Sequence, residues 1–176
     1  MNAFCLQPYE HGIGGVHHRD GVLRLRPTRG ATGLALYGTV FSLLAVLAGI
    51  ALEIVLAVPI GIALGVPSVR YLFCRLVAAG ATITVVNKWQ RHTVLVDDVV
   101  TAVVEDFRPR LGFMPFSGPT TLWPRRLAAC FLTLRDGRRI RCDALVGLMT
   151  DGLAPYPTII ETKAAILRRW VEAARQ

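Results

Sequence analysis

Charge is almost absent from residues 30–69, where Glu53 is the only aspartate, glutamate, lysine or arginine. A surface helix of a soluble protein carries a charged face, so this absence excludes such a helix here. The stretch far exceeds the run of about 18 apolar residues that crosses a membrane. As a helix it would measure roughly 60 Å, about twice the ~30 Å hydrocarbon thickness, which suits two crossings better than one.

Glu53 lies near the middle of this stretch. A carboxylate at the bilayer centre costs roughly 2.5–3.5 kcal/mol on insertion scales, and this cost largely vanishes at a turn in the far interface. Glu53 therefore predicts the tip of a two-helix hairpin; the alternative is one tilted span over roughly Leu34–Val58. Arginines flank both ends of the apolar run. Because positive charge favours the cytoplasmic side, they indicate two spans in the plasma membrane with both termini cytoplasmic.

Motifs that carry chemistry are also scarce. No CxxC spacing occurs among the four cysteines, and a cytoplasmic location predicts free thiols. No glycine-rich loop carries the lysine-serine or lysine-threonine pair that binds phosphate. The adjacent acids Asp97-Asp98 and Glu105-Asp106 flank a predicted strand, where neighbouring side chains point to opposite faces and cannot readily cooperate as acid and base. His92 is interpreted as a surface residue.

An N-terminal cluster is interpreted as a solvated tail in preference to a metal site; its members are His11, His17, His18 and Asp20. The sequence therefore predicts no enzyme, no catalytic residue, no cofactor, no metal site and no small-molecule substrate.

After Arg75 the sequence changes to short β-branched runs. Strands are predicted over Ala81–Val86, Thr93–Val96, Val99–Glu105, Ala129–Arg135 and Arg138–Cys142. Asp136-Gly137 predicts a hairpin turn, since glycine readily adopts the positive φ that such turns require. A three-residue loop pairs Leu134 with Arg138, Leu132 with Ile140 and Cys130 with Cys142. We prefer it to the two-residue loop, which pairs leucines with arginines.

The C-terminal segment predicts an amphipathic helix. Thr158 and Glu161 have the spacing of a capping box. Apolar positions and Lys163 then recur at helical spacing, in a stripe formed by Ile159, Ile160, Lys163, Ile166, Leu167, Trp170, Val171 and Ala174. Such a stripe needs a surface to cover, so we expect this helix to cap an antiparallel sheet.

Three short motifs carry a resemblance. The first is Ile83, Val85 and Asn87, followed by the basic residue Arg91 after the turn. The second is Asp97, Asp98 and Val99, and the third is Leu134, Asp136, Gly137 and Arg138. With the hairpin before them, they resemble the bacterial pleckstrin-homology-like (PH-like) membrane proteins, especially the actinobacterial group related to low-molecular-weight protein antigen 6. The resemblance covers about Leu23 to Ala174 and departs at Val96, where that family often has tryptophan. It implies an architecture and no catalytic residues.

The sequence thus predicts an α+β protein in three parts. Residues 1–29 form a basic cytoplasmic segment, residues 30–75 a two-helix transmembrane hairpin, and residues 76–176 a cytoplasmic PH-like domain. We expect that domain to be an antiparallel β-barrel or sheet capped by the terminal α-helix. Its predicted role is a non-catalytic binding or scaffold module at the cytoplasmic face of the membrane.

Residues 70–176 hold 16 lysines and arginines against 9 aspartates and glutamates, a balance of +7. Anionic lipid headgroups are the favoured partner, with a protein partner of unknown identity; nucleic acid, tethered through the basic domain, is the alternative. For residues 107–126, contact with the membrane and folding over the sheet remain open alternatives. The residues predicted at the membrane interface are Arg24, Arg26, Arg29, Arg70, Arg75, Phe113, Phe116, Trp123, Arg125 and Arg126.

Overall fold

The computed structural model describes residues 15–27, 29–107, 127–148 and 159–176. Its strands are β1 (Val16–Arg19), β2 (Val22–Leu25), β3 (Arg75–Ala79), β4 (Thr82–Val86), β5 (Arg91–Leu95), β6 (Val99–Phe107), β7 (Leu127–Leu134) and β8 (Arg139–Leu148). Its helices are α1 (Arg29–Ala51), α2 (Ala57–Leu72) and α3 (Ile159–Ala174).

The strands form two antiparallel sheets, so the protein belongs to the α+β class. The first sheet has the order β1-β2-β3-β4-β5, and the second has the order β6-β7-β8. A short 3-10 helix, Val96–Asp98, separates the sheets along the chain. Within the described ranges no ladder joins the sheets. Of the two predicted alternatives, a β-barrel or an open sheet, the closed barrel is therefore not formed by the described residues. The core lies between the two sheets and α3.

Three strands of the first sheet were not predicted. β2 lies before the helices and β3 after them, yet the two pair, with Leu23 opposite Ala78 and Leu25 opposite Leu76. All four of these side chains are buried. Residues 16–25, predicted to belong to a separate basic segment, are therefore part of the same sheet as residues 75–95. The alternation Val22-Leu23-Arg24-Leu25 was the signal that sequence reasoning missed.

The β7–β8 hairpin has the predicted register. Leu132 lies opposite Ile140 and Cys130 opposite Cys142, and all four side chains are buried. Gly137 has a φ of +81° and donates its N–H to the Leu134 carbonyl at 3.0 Å. A three-residue loop closed by glycine in the left-handed region is thus confirmed.

The terminal helix α3 buries the predicted stripe, with two exceptions. Ile159, the first residue of the helix, is 53% exposed, and Ala174, the last, is also exposed, so both assignments were wrong. Thr158, the predicted cap, lies outside the described residues. The buried residues of α3 are Ile160, Lys163, Ala164, Ile166, Leu167, Trp170 and Val171.

Helices α1 and α2 form a hairpin with Glu53 in the turn between them, as predicted. Glu53 has a φ of +55°. Its N–H donates to the Ile50 carbonyl at 3.3 Å, and the Ile54 N–H donates to the Gly49 carbonyl at 2.8 Å. This is a Schellman motif, whose left-handed position usually holds glycine. Glu53 therefore ends α1 by its backbone conformation as well as by its charge.

The two helices differ in length. α1 has 23 residues and measures about 34 Å. Within Ala31–Ala51 an 18-residue window has a mean hydropathy of 2.1, which makes α1 long and apolar enough to cross a membrane. α2 has 16 residues and measures about 24 Å. Among the described helices, α1 alone reaches the length and hydropathy of a span.

Small residues allow α1 and α2 to pack closely. A Cβ atom added to Gly61 would lie 2.6 Å from Val46 Cγ2 and 3.0 Å from the Ser42 carbonyl oxygen. A Cβ atom added to Gly65 would lie 3.1 Å from Ser42 Cβ. Gly61 and Gly65 have the GxxxG spacing by which helices approach each other within a membrane. Sequence reasoning did not single out this pair.

Gly61→Leu is expected to force the two helices apart. The new side chain would meet backbone atoms of Ser42, which cannot move aside as a flexible side chain does. We therefore expect a cost near the upper end of the ~1–3 kcal/mol typical of overpacking. The distance between spin labels at positions 36 and 69, measured in liposomes, should increase. The matched control is Gly33→Leu, because nothing lies within 4 Å of a Cβ atom there. Equal distances in both variants would contradict this helix interface.

Candidate membrane-proximal site

The outer surface of the α1–α2 hairpin is apolar and exposed. Scattered apolar side chains are ordinary on soluble proteins, but a continuous surface of this kind is typical of a site that contacts a membrane or another protein. Each of the following large side chains is at least 38% exposed: Leu36, Tyr37, Val40, Phe41, Leu43, Leu44, Leu47, Ile50, Leu52, Ile54, Val55, Leu56, Ile60, Ile62, Leu64, Val66 and Val69.

The base of the hairpin, where α2 meets the turn between β4 and β5, holds cations against aromatic rings. Arg70 Cζ lies 4.5 Å from the ring centroid of Trp89, and Arg70 Nη1 donates to the Lys88 carbonyl at 3.2 Å. Lys88 Nζ lies 5.1 Å from the ring centroid of Tyr71. Phe73 and Trp89 are 68% and 59% exposed. Aromatic and basic side chains of this kind favour a membrane–water interface.

A polar cluster of buried and half-buried residues, which we call the joint, ties the β4–β5 turn to β8. Asn87 Nδ2 donates to the Arg141 carbonyl at 2.6 Å, and Asn87 Oδ1 accepts from the Asp143 N–H at 2.8 Å. The Asp143 carboxylate accepts from the Lys88 N–H at 3.2 Å and from Arg141 Nε at 2.8 Å. Asp143 is fully buried. The joint therefore connects the two sheets, which share no ladder among the described residues, at the base of the hairpin.

A bulge in β8 places Asp143 in the joint. Ala129 and Cys130 are neighbours on β7, but their partners on β8 are Val146 and Cys142. The three residues between those partners have no partner in the ladder, and all three are buried. Because the alternation of faces breaks here, Cys142 and Asp143 are both buried although they are adjacent. The bulge thus directs a carboxylate to the β4–β5 turn.

Lys88 and Lys163 are both buried. Burial lowers the pKa of Lys88, while the nearby Asp143 carboxylate acts in the opposite direction. Lys163 is fully buried, and its Nζ donates to the Arg26 carbonyl at 2.6 Å. Burial lowers the pKa of Lys163 to about 8. Lys163 thereby joins α3 to the short segment that leads from β2 into α1.

The cysteines of the described chain, Cys74, Cys130 and Cys142, are free and buried. A hydrogen bond with Cys130 and burial both raise the pKa of the Cys142 thiol. A thiol that stays protonated is a poor nucleophile, so the facing pair Cys130 and Cys142 acts as core packing. Cys5 lies outside the described residues.

The arginines predicted at the interface lie near the hairpin ends. Arg24 and Arg26 are exposed on or just after β2, Arg75 is exposed at the start of β3, and Arg70 lies in the last turn of α2. Arg29 is the first residue of α1. The remaining predicted interface residues lie outside the described residues; they are Phe113, Phe116, Trp123, Arg125 and Arg126.

The described acidic and histidine residues considered from sequence lie on different elements of the fold, and His11 lies outside the described residues. Asp97 and Asp98 are exposed in the 3-10 helix, and Glu105 pairs with Arg139 at 2.7 Å. His92 Nε2 lies 3.2 Å from the side-chain oxygen of Gln90. His17 and His18, predicted in a solvated tail, lie on β1. In the described ranges no three histidine, cysteine, aspartate or glutamate side chains are grouped to hold a metal ion.

A comparison of the chain with protein-family models gives no match, and a search among curated proteins gives none either. The described fold is an α+β domain with an apolar helical hairpin inserted between β2 and β3. Asp143, which holds the joint at the base of that hairpin, was not singled out from the sequence. Its only signal there was a lone acid directly after the alternating run Arg139–Cys142.

Proposed function

We propose that this protein is a non-catalytic binding or scaffold module held at the cytoplasmic face of the plasma membrane. In this proposal the α1–α2 hairpin crosses the membrane twice, and the two sheets with α3 form a PH-like domain. The domain would present its free surfaces to a protein partner of unknown identity.

The pairing of β2 with β3 is the observation that carries the proposal. These strands flank the hairpin in the chain, and Leu25 lies opposite Leu76 in the sheet. Because one sheet holds both ends of the hairpin, the two ends lie on the same side of any membrane that the hairpin enters. This favours an even number of crossings and disfavours the single tilted span over Leu34–Val58.

The lengths of the helices are compatible with two crossings. α1, at about 34 Å, exceeds the ~30 Å hydrocarbon thickness, and tilting accommodates the excess. α2 measures about 24 Å, but Ile54, Val55 and Leu56 extend its apolar surface towards the tip. Glu53 is exposed at that tip, where the far interface would hydrate its carboxylate.

The PH-like assignment rests on where the matched motifs lie. Asn87 makes two hydrogen bonds across the joint, and Asp136-Gly137 forms the turn between β7 and β8. Residues of structural importance therefore carry the resemblance. A non-catalytic role is supported by the joint as well, because the buried Asp143 carboxylate is engaged by the Lys88 backbone N–H and by Arg141 Nε, which holds the sheets together.

Labelling of single cysteines in intact cells tests the topology. In a Cys5→Ser background, Glu53→Cys should react with an impermeant maleimide added outside the cells. Asp136→Cys, on the exposed β7–β8 turn, should react only after permeabilisation. Cys142 is unsuitable as a reporter because it is fully buried.

Two results of this experiment would contradict the proposal. A Glu53→Cys protein that stays unlabelled until permeabilisation would indicate a re-entrant hairpin instead of two spans. Labelling of Asp136→Cys in intact cells would place the sheets on the outside of the cell.

A further inference from the structure

The face of the first sheet that points away from the core carries a groove of about 250 Å³. Its floor is formed by Val77, Thr84 and Val86, from the adjacent strands β3 and β4. Four arginines surround this floor: Arg24, Arg26, Arg75 and Arg91. None of the described residues that line the groove is acidic. We call it the arginine groove.

The strand register explains why these arginines converge. Arg75 lies opposite Val86, and Val86 lies opposite Arg91, so both arginines point to the same face from either side of β4. Their backbones are separated by two strand spacings, about 10 Å, which two long side chains can bridge towards one ligand. Arg24 lies in the next row of the same face, opposite Val77.

The four guanidinium groups are not neutralised by the rest of the described chain. Ion pairs in residues 15–27, 29–107, 127–148 and 159–176 involve Arg19, Arg138, Arg139 and Arg141. Within these ranges no salt bridge or hydrogen bond engages the guanidinium group of Arg24, Arg26, Arg75 or Arg91. The groove therefore concentrates positive charge that the described part of the fold does not use, which is the arrangement of an anion-binding site.

The arginine groove opens at the base of the hairpin. Arg26 precedes the first residue of α1 by three positions, and Arg75 follows the last residue of α2 by three. Arg91 begins β5, directly after the turn whose Trp89 lies under Arg70 of α2. These three arginines are therefore at the end of the sheet from which the hairpin leaves.

We propose that the arginine groove binds the phosphate group of an anionic lipid headgroup from the leaflet that the hairpin enters. This inference rests on the proposed membrane anchoring, because insertion of the hairpin is what brings lipid headgroups to the end of the sheet where the arginine groove opens. Guanidinium groups donate paired hydrogen bonds that match phosphate oxygens, and Thr84 places a hydroxyl on the floor. The volume is below the ~300–1,000 Å³ of pockets for drug-sized ligands, which suits a headgroup phosphate.

Competition between two lipids tests this site in the full-length protein. The chain is purified in an uncharged detergent and offered equal amounts of phosphatidylglycerol and phosphatidylcholine with the same acyl chains. Native mass spectrometry should show one phosphatidylglycerol retained in preference. Arg75→Gln with Arg91→Gln should reduce this preference about 30-fold, from a factor of about five for each basic residue next to an anionic surface. Both residues are exposed, so the core is unchanged.

A matched control removes the same charge elsewhere. Arg135→Gln with Arg168→Gln also deletes two exposed arginines, but neither lines the groove. This control should keep the preference for phosphatidylglycerol. An equal loss in the two double variants would mean that net charge, and not the groove, selects the lipid, and would overturn the proposal.

Further arms separate the possible sources of phosphate. Inorganic phosphate at equal concentration should not displace the lipid; displacement would identify a soluble phosphate ligand. Displacement by a short DNA duplex, lost in Arg75→Gln with Arg91→Gln, would identify nucleic acid as the occupant. Either result would overturn the lipid site. Both double variants are also made in the Cys5→Ser, Glu53→Cys background and labelled with the impermeant maleimide in intact cells. This labelling distinguishes loss of membrane anchoring from loss of headgroup binding.

Discussion

Asp143→Ala is expected to lower the free energy of unfolding of this protein by about 3–5 kcal/mol, as removal of one member of a buried ion pair does. Asp143 is fully buried and accepts hydrogen bonds from the Lys88 backbone and from Arg141 Nε. Its removal takes a carboxylate away from two cations, one of them the lysine that is only 5% exposed. Urea-induced unfolding in a mild detergent, followed by far-ultraviolet circular dichroism, measures the change.

The chain offers a matched control in Asp136. This aspartate also pairs with an arginine two positions away, Arg138, but the pair is largely exposed on the β7–β8 turn. Because exposed ion pairs contribute little, Asp136→Ala should leave the unfolding midpoint nearly unchanged. If Asp143→Ala unfolds at the same urea concentration as Asp136→Ala, the joint does not hold the sheets together.

Trp170→Ala is expected to destabilise the protein by a similar amount, about 3–5 kcal/mol, the usual range for truncation of a buried aromatic side chain. Trp170 is 6% exposed, and its Nε1 donates to the Gly21 carbonyl at 3.4 Å. The substitution removes core volume beneath α3 and a contact with the β1–β2 turn. We expect a lower melting temperature together with faster hydrogen exchange in β1 and β2.

Trp89→Ala is the comparison for this second prediction. Trp89 is 59% exposed and stacks with Arg70 at the base of the hairpin. Its truncation should change the melting temperature in detergent much less than truncation of Trp170. Equal losses would show that α3 is not the element that closes the core.

Short sequence patterns predicted the elements that are held together by residues close to one another in the chain. The β7–β8 register followed from Asp136-Gly137 and from the alternation of Leu132 and Leu134 with polar residues. The lone charge of Glu53 located the helical turn. Its left-handed backbone was not predictable, because that conformation favours glycine and residue type alone does not indicate it.

Sequence reasoning failed where distant parts of the chain stabilise one another. β1 and β2 have four residues each, and β2 is paired with β3, which is separated from it by the whole hairpin. The burial of Asp143 depends on a bulge that no turn motif announces. The arginine groove likewise requires the order of four strands, although Arg24, Arg26 and Arg75 had been singled out as interface residues.

The pairing of β2 with β3 also has a consequence during synthesis of the chain. Leu76 is made 51 residues after its partner Leu25. At ribosomal rates of about 5–20 residues per second, β2 remains without its partner strand β3 for roughly 3–10 s. All of the hairpin must leave the ribosome within that interval. In the proposed topology, completion of the first sheet is therefore timed by delivery of α1 and α2 to the bilayer. A chain whose hairpin stalls before insertion would expose an open strand edge to aggregation.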